Sequence, residues 1–113
     1  MELIYIANEL TEDTLGVFNR IHSQYPSVKI ISDDKGTNYD EYVSSKNDNN
    51  RYFVLVNCVH KAPATESFKD LCALGAAGML HHAKYVLFYH SETSMDSFLQ
   101  NIHDYMYETV PEG

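Results

Sequence analysis

Tryptophan is absent from this chain, cysteine occurs only twice, and eight basic residues stand against sixteen acidic ones, for a formal net charge of −8. Each shortage removes a class of function. Without a Lys/Arg stripe there is nothing to displace the counterions of a phosphate backbone, so nucleic acid is not an expected partner. The same deficit argues against an anionic membrane surface. What the charge leaves open is a small-molecule ligand, a protein partner with a basic patch, or a solvated acidic surface. Cys58 and Cys72 form no CxxC pair, which removes the zinc-ribbon and thioredoxin-type readings and leaves two buried free thiols. No apolar run approaches the roughly 20 residues needed to cross a bilayer. The N-terminus enters a strand with no basic region and long apolar stretch before it, so no signal peptide is expected and the setting is read as cytoplasmic. Nor is there a GxSxG, a P-loop or a GxGxxG. No cofactor is implied.

What is present is a dense α/β pattern. Its 113 residues suit one domain with a single core. Tyr52 to Val59 is an apolar, β-branched run, and Pro63 and Thr65 lead from it into a helical segment, Glu66 to His81. Lys84 to Tyr89 is a second buried-strand run, and Met95 to Tyr105 is an amphipathic helix. Two such strands joined by a helix call for a right-handed parallel βαβ unit. Upstream, Leu3 to Ala7 reads as a strand. Thr11 caps a helix whose apolar positions are Leu15, Phe18 and Ile21 and which Pro26 ends, and Val28 to Ile31 is the next strand. The stretch 32–50 is polar, with Tyr39, Tyr42 and Val43 as one face of a short helix and Asn47 to Asn50 as a mobile connection. The order predicts a four-stranded, mostly parallel sheet with helices on its faces. Phe68, Leu71, Cys72, Gly75 and Met79 are expected on the core face of the third helix, and the His81-His82 pair at its C-terminal end, where the dipole favours a cation.

Ligands of open parallel sheets bind at the carboxyl ends of the strands. The polar residues expected there are Asn8 and Glu9, Asp33 and Asp34, His60 and Lys61, and His90 and Ser91. Helix N-termini at Thr11, Thr65 and Ser94 open on the same rim. His60, His90 and an Asp have the right chemistry for a metal, but their scattered spacing matches no metal motif, and no metal site is assigned. Glu66 or Glu9, helped by His60, has the chemistry for acid–base or nucleophilic work, while a carboxylate in a first helical turn also serves as a simple dipole partner. Thr65 and Ser67 are candidate regulatory positions, since a phosphate there would sit on a helix N-terminus; as plain hydroxyls they cap the helix.

Tyr52 to Asn57, Pro63 to Phe68, Ala83 to Phe88 and Phe98-Leu99 together resemble the second half of a STAS-like domain. The likeness covers about half the chain. Asn57 stands where those domains commonly carry an acidic residue, and their Asp-Ser-Ser-Gly signature is missing. The resemblance implies a non-enzymatic regulatory module that binds a protein partner, with Thr65 or Ser67 as its switch. Leu3 to Asn8, with Thr65-Glu66 opening a helix that contains Ala73-Leu74-Gly75, is similar to nucleoside deoxyribosyltransferase-like and TIR-like domains. That likeness implies a carboxylate, here Glu66, acting on a nucleotide-type metabolite. The usual Asp and Gly flanking that glutamate are absent. The interaction module is the reading adopted from the sequence; a small-molecule binder or hydrolase at the rim is the alternative. Gly75, Gly78, Tyr105 and Tyr107 are candidates for a homodimer contact.

Overall fold

The computed structural model describes residues 2–33, 38–46, 51–59 and 63–107. Eight elements alternate along them: β1 (Glu2–Ala7), α1 (Glu12–Gln24), β2 (Lys29–Ser32), α2 (Asn38–Ser45), β3 (Tyr52–Asn57), α3 (Glu66–Ala76), β4 (Ala83–Tyr89) and α4 (Met95–Met106). The strands form one sheet in the order β2-β1-β3-β4, and every pairing is parallel. The expected α/β class and four-stranded sheet are therefore present, and the sheet is wholly rather than mostly parallel.

Side chains alternate across the pleat. Ile4, Ile6, Val54 and Val56 point to the face covered by α2 and α3, where they meet Tyr39, Phe68 and Leu71. Leu3, Tyr5, Phe53 and Leu55 point to the other face, against Ile21 of α1 and Phe98 and Ile102 of α4. The chain steps from β1 to β2 in one direction and then reverses past β1 to β3. With right-handed crossovers, that reversal places α1 on one face and α2 and α3 on the other. β1 and β3 are thus sandwiched on both sides, which is why they read as continuous apolar runs.

The helices start as their sequences indicate. Thr11 and Thr14 form a reciprocal capping box, and Thr65 and Ser94 cap α3 and α4. Several boundaries depart from expectation. α3 stops at Ala76, not near His81, because Gly78 takes a φ of 72° and the chain turns back, with Met79 N–H donating to the Leu74 carbonyl at 2.8 Å. Met79, expected on the core face, is consequently 70% exposed. The His81-His82 pair lies in the turn before β4 rather than at a helix end, with His82 itself at a φ of 61°. β3 ends at Asn57 because that side chain captures the Val59 N–H. On α1, Thr14 and Ile21 are the buried positions and Leu15 is exposed. In the polar stretch after β2, Tyr39 and Val43 anchor α2 as expected, while Asn47 to Asn50 lie outside the described residues.

β4 differs from its neighbour. Its register slips where Tyr52 pairs with Ala83 and Phe53 with Tyr85, which leaves Lys84 bulged and exposed on an edge strand. A charge and a bulge are common ways to blunt an unpaired edge. Gly75 lets α3 approach this strand closely: an added Cβ would lie 3.2 Å from both Phe88 and Val86 side chains.

Candidate functional site

The reversal of strand order falls between β1 and β3, so the crevice at their carboxyl ends is where a ligand would be sought first. Asn8 follows β1 and is buried. Its Oδ1 accepts from the Thr65 hydroxyl at 3.2 Å and the Thr65 N–H at 3.5 Å, so it reaches across the crevice to the start of α3. Thr65 Oγ1 in turn accepts from the Phe68 N–H at 3.1 Å. One hydroxyl therefore both caps a helix and ties it to β1.

Asp33 is wholly buried beyond β2, and its carboxylate is committed to α2. Oδ1 accepts from the Asn38 N–H at 3.2 Å and Oδ2 from the Tyr39 N–H at 3.3 Å, while its own N–H donates to the Ala7 carbonyl. A carboxylate on the free N–H groups of a helix start is stabilised by both hydrogen bonds and the helix dipole.

Asn57 closes the end of β3. Its Nδ2 donates to the Tyr5 hydroxyl at 2.8 Å, that hydroxyl donates to the Thr14 carbonyl at 2.7 Å, and Asn57 Oδ1 accepts from the Val59 N–H at 2.8 Å. Burial raises the Tyr5 pKa to about 12, opposed in part by the Asn57 hydrogen bond. The hydroxyl is thus held neutral and works as a link in a chain of bonds, not as an acid. Sequence reasoning missed this line from β3 to α1. The available signal was a tyrosine in mid-strand among aliphatic residues, since a buried hydroxyl demands a partner.

Among the described residues, the other expected rim residues do not converge. Glu66 is exposed and pairs with Lys69 at 3.4 Å on its own helix. Glu9 is exposed, and its carbonyl accepts from the Thr14 hydroxyl. His90 is exposed in the turn after β4, its ring stacked on Phe88 at 6.2 Å and its N–H donating to Thr93 Oγ1. Ser67 is half-buried in the first turn of α3. Asp34, His60 and Lys61 lie outside the described residues. Among the described residues, no three His, Cys, Asp or Glu side chains come together as a metal would require. Likewise, no helix among them is long and apolar enough to cross a membrane.

Concave surface lies elsewhere. A shallow trough of about 670 Å³ runs between α1 and α4 past Gly16, Tyr89 and Met95, and it continues toward the exposed Arg20–Asp96 pair at 3.7 Å. On the opposite face a tighter groove of about 220 Å³ opens between α2 and α3. Its apolar lining includes Tyr39, Leu71, Leu74 and Met79, and Asp40 and Asp70 also line it. Leu74 is 44% and Met79 70% exposed, so this lining faces water. The sequence placed Met79 in the core and missed this groove. Gly78 was the clue, because a glycine that ends the helix throws the next side chain outward.

The chain matches no family model, no curated protein and no solved structure. What it does must therefore be argued from these residues.

Proposed function

We propose that this domain is a non-enzymatic interaction module, of the regulatory kind that the STAS-like resemblance implies, and that it binds a protein partner through the groove between α2 and α3. The observation that carries the reading is the groove itself, an apolar floor with Leu74 and Met79 facing water and with Asp40 and Asp70 beside it. At about 220 Å³ it is smaller than the roughly 300 Å³ at which ligand pockets usually begin, and suits one or two side chains of a peptide. The flanking carboxylates and the net charge of −8 favour an apolar anchor set between Lys or Arg residues. The carboxyl rim supports the same conclusion from the other side. Asn8, Asp33 and Asn57 spend their polar atoms on the protein's own backbone and hydroxyls. Glu66, the carboxylate a hydrolase would need, points into solvent beside a lysine. A cytoplasmic setting is part of the proposal, as two free thiols suit a reducing compartment.

Selection from a random displayed peptide library tests it. The expected consensus is an apolar residue flanked by Lys or Arg, with affinity that falls as salt rises. Replacing both exposed residues, Leu74→Asp with Met79→Asp, should weaken the selected peptides at least about tenfold, which corresponds to about 1.4 kcal/mol, and leave the fold intact. Peptides that bind the double variant undiminished would remove the groove from consideration. A melting shift with a nucleotide would instead favour the small-molecule reading, and turnover of that nucleotide that is lost in a folded Glu66→Gln variant would favour the hydrolase.

A further inference from the structure

β4 ends the sheet, and among the described residues no strand pairs with its outer side. The Cys58 N–H donates to the Tyr89 carbonyl at 2.8 Å, so Tyr89 turns its peptide groups toward β3. The strand backbone repeats every second residue, so Leu87 and Tyr85 face β3 as well. Val86 and Phe88 therefore present their N–H and C=O groups outward. An edge of this kind is a template for another strand. The irregularity between Tyr52 and Phe53, which bulges Lys84, blunts only its start. From Tyr85 to Tyr89 the register is regular, every side chain is aromatic or aliphatic, and every residue is only half-buried.

Charge and register indicate what this edge accepts. None of the sixteen acidic residues falls between Asp70 and Glu92, a stretch that holds all of β4 and carries His81, His82, Lys84 and His90. In a chain of net charge −8, this strand lets two copies touch without setting carboxylate against carboxylate. The strand is also self-complementary. Laid antiparallel about Leu87, Val86 of one copy stands opposite Phe88 of the other. Both present outward backbone groups, so each such pair exchanges two hydrogen bonds. Leu87 meets Leu87, and Tyr85 meets Tyr89, on the face that α4 covers. Both Lys84 residues fall outside the paired segment, and this is the one antiparallel register that pairs all of Tyr85 to Tyr89 with itself.

We propose that the β4 edge is a docking surface for a second copy of this chain, which adds its own β4 in this antiparallel register and joins the two sheets into one. Gly75, a residue expected at a homodimer contact, acts from behind the strand: it lets α3 pack directly on Val86 and Phe88. The strand contact is small, which sets the affinity at micromolar or weaker, so dilute chain is the monomer whose β4 edge faces water. The surface is separate from the α2–α3 groove, and the two proposals stand or fall independently.

Sedimentation equilibrium and residue-resolved amide hydrogen exchange of the full chain, kept reduced, test it. As concentration rises from low micromolar to millimolar, the mass should climb from 12.9 kDa toward twice that value. The Val86 and Phe88 amides should exchange fast in dilute chain and slow several-fold in step with the dimer. Those of Leu87 and Tyr89, bonded to β3, should be slow throughout. Val86→Pro removes an N–H that the bonds to β3 do not use, which an edge strand tolerates. It should raise the dissociation constant at least about tenfold, because a symmetric dimer loses the bond twice. A chain that stays monomeric at millimolar concentration overturns the proposal. So does protection of Val86 and Phe88 that is equal at every concentration, since the chain's own residues would then cover the edge. A dimer in which these two amides still exchange fast overturns it as well, by placing the contact elsewhere. The wild-type exchange pattern decides the matter even where Val86→Pro does not fold.

Discussion

β3 and β4 lie side by side, are paired in register from Phe53 to Asn57, and carry similar sequences, Tyr-Phe-Val-Leu-Val-Asn and Ala-Lys-Tyr-Val-Leu-Phe-Tyr. Every residue of β3 is buried, whereas in β4 Lys84 is exposed and the rest are half-buried. The difference is one of position. β3 has a strand on each side and helices on both faces, while among the described residues β4 has a strand on one side only. Tyr105 lies over Tyr85 at 4.8 Å between ring centres and is itself 40% exposed, so the aromatic cover over β4 is thin. Hydrophobic composition thus records that a strand has apolar neighbours; how completely they enclose it depends on its place in the sheet.

Leu55 and Leu87 offer the sharpest test, because they are register partners on the same face. Leu55→Ala should cost about 4 kcal/mol and Leu87→Ala about half as much, read as the shift in urea midpoint at constant slope. Equal losses would mean that the β4 edge is covered in solution, by a second copy or by the chain's own remaining residues.

The hydrogen-bonded line at the end of β3 comes next. Tyr5→Phe should cost about 1–3 kcal/mol by leaving the Asn57 amide and the Thr14 carbonyl without their partner. Because burial raises the Tyr5 pKa to about 12, the unfolded chain gives up this proton first as pH climbs past 10. Its contribution is therefore complete below pH 10 and fades as pH rises toward 12, by about 2–3 kcal/mol in all. Tyr39 is shifted in the same direction by burial, so Tyr5→Phe should reduce the alkaline decline in melting temperature without abolishing it.

Thr65→Ala should be milder, about 1–2 kcal/mol, through loss of the α3 cap and of the bond to Asn8, and Thr65→Ser should recover most of it. Smallest of all is Glu66→Gln, expected within about 0.5 kcal/mol of wild type in urea, because an exposed pair with Lys69 contributes little. A large effect there would show that the rim residue has a partner other than Lys69.

Much of the fold was legible in the sequence, since local chemistry and the fold agree over most of the chain. Thr11, Thr65 and Ser94 announce their helices because a hydroxyl at that position satisfies free N–H groups wherever the helix goes. The apolar runs announce β1 and β3 because a strand covered on both faces tolerates little else. The site was less legible. Asn8, Asp33 and Thr65 were recognised as rim residues, but that Asn8 reaches Thr65 and that Asp33 caps α2 are matters of distance between segments far apart in sequence. Met79 was misjudged because helical spacing continues through Gly78 on paper, while the backbone turns there. The sequence by itself determined the elements, their caps and the parallel α/β class, all of which depend on neighbours within a turn or a strand. Only the tertiary structure decided which strand became the edge, which polar atoms were spent inside, and which apolar side chains were left facing water. Those outcomes follow from contacts made across the sheet, and a linear pattern of residue types carries no record of them.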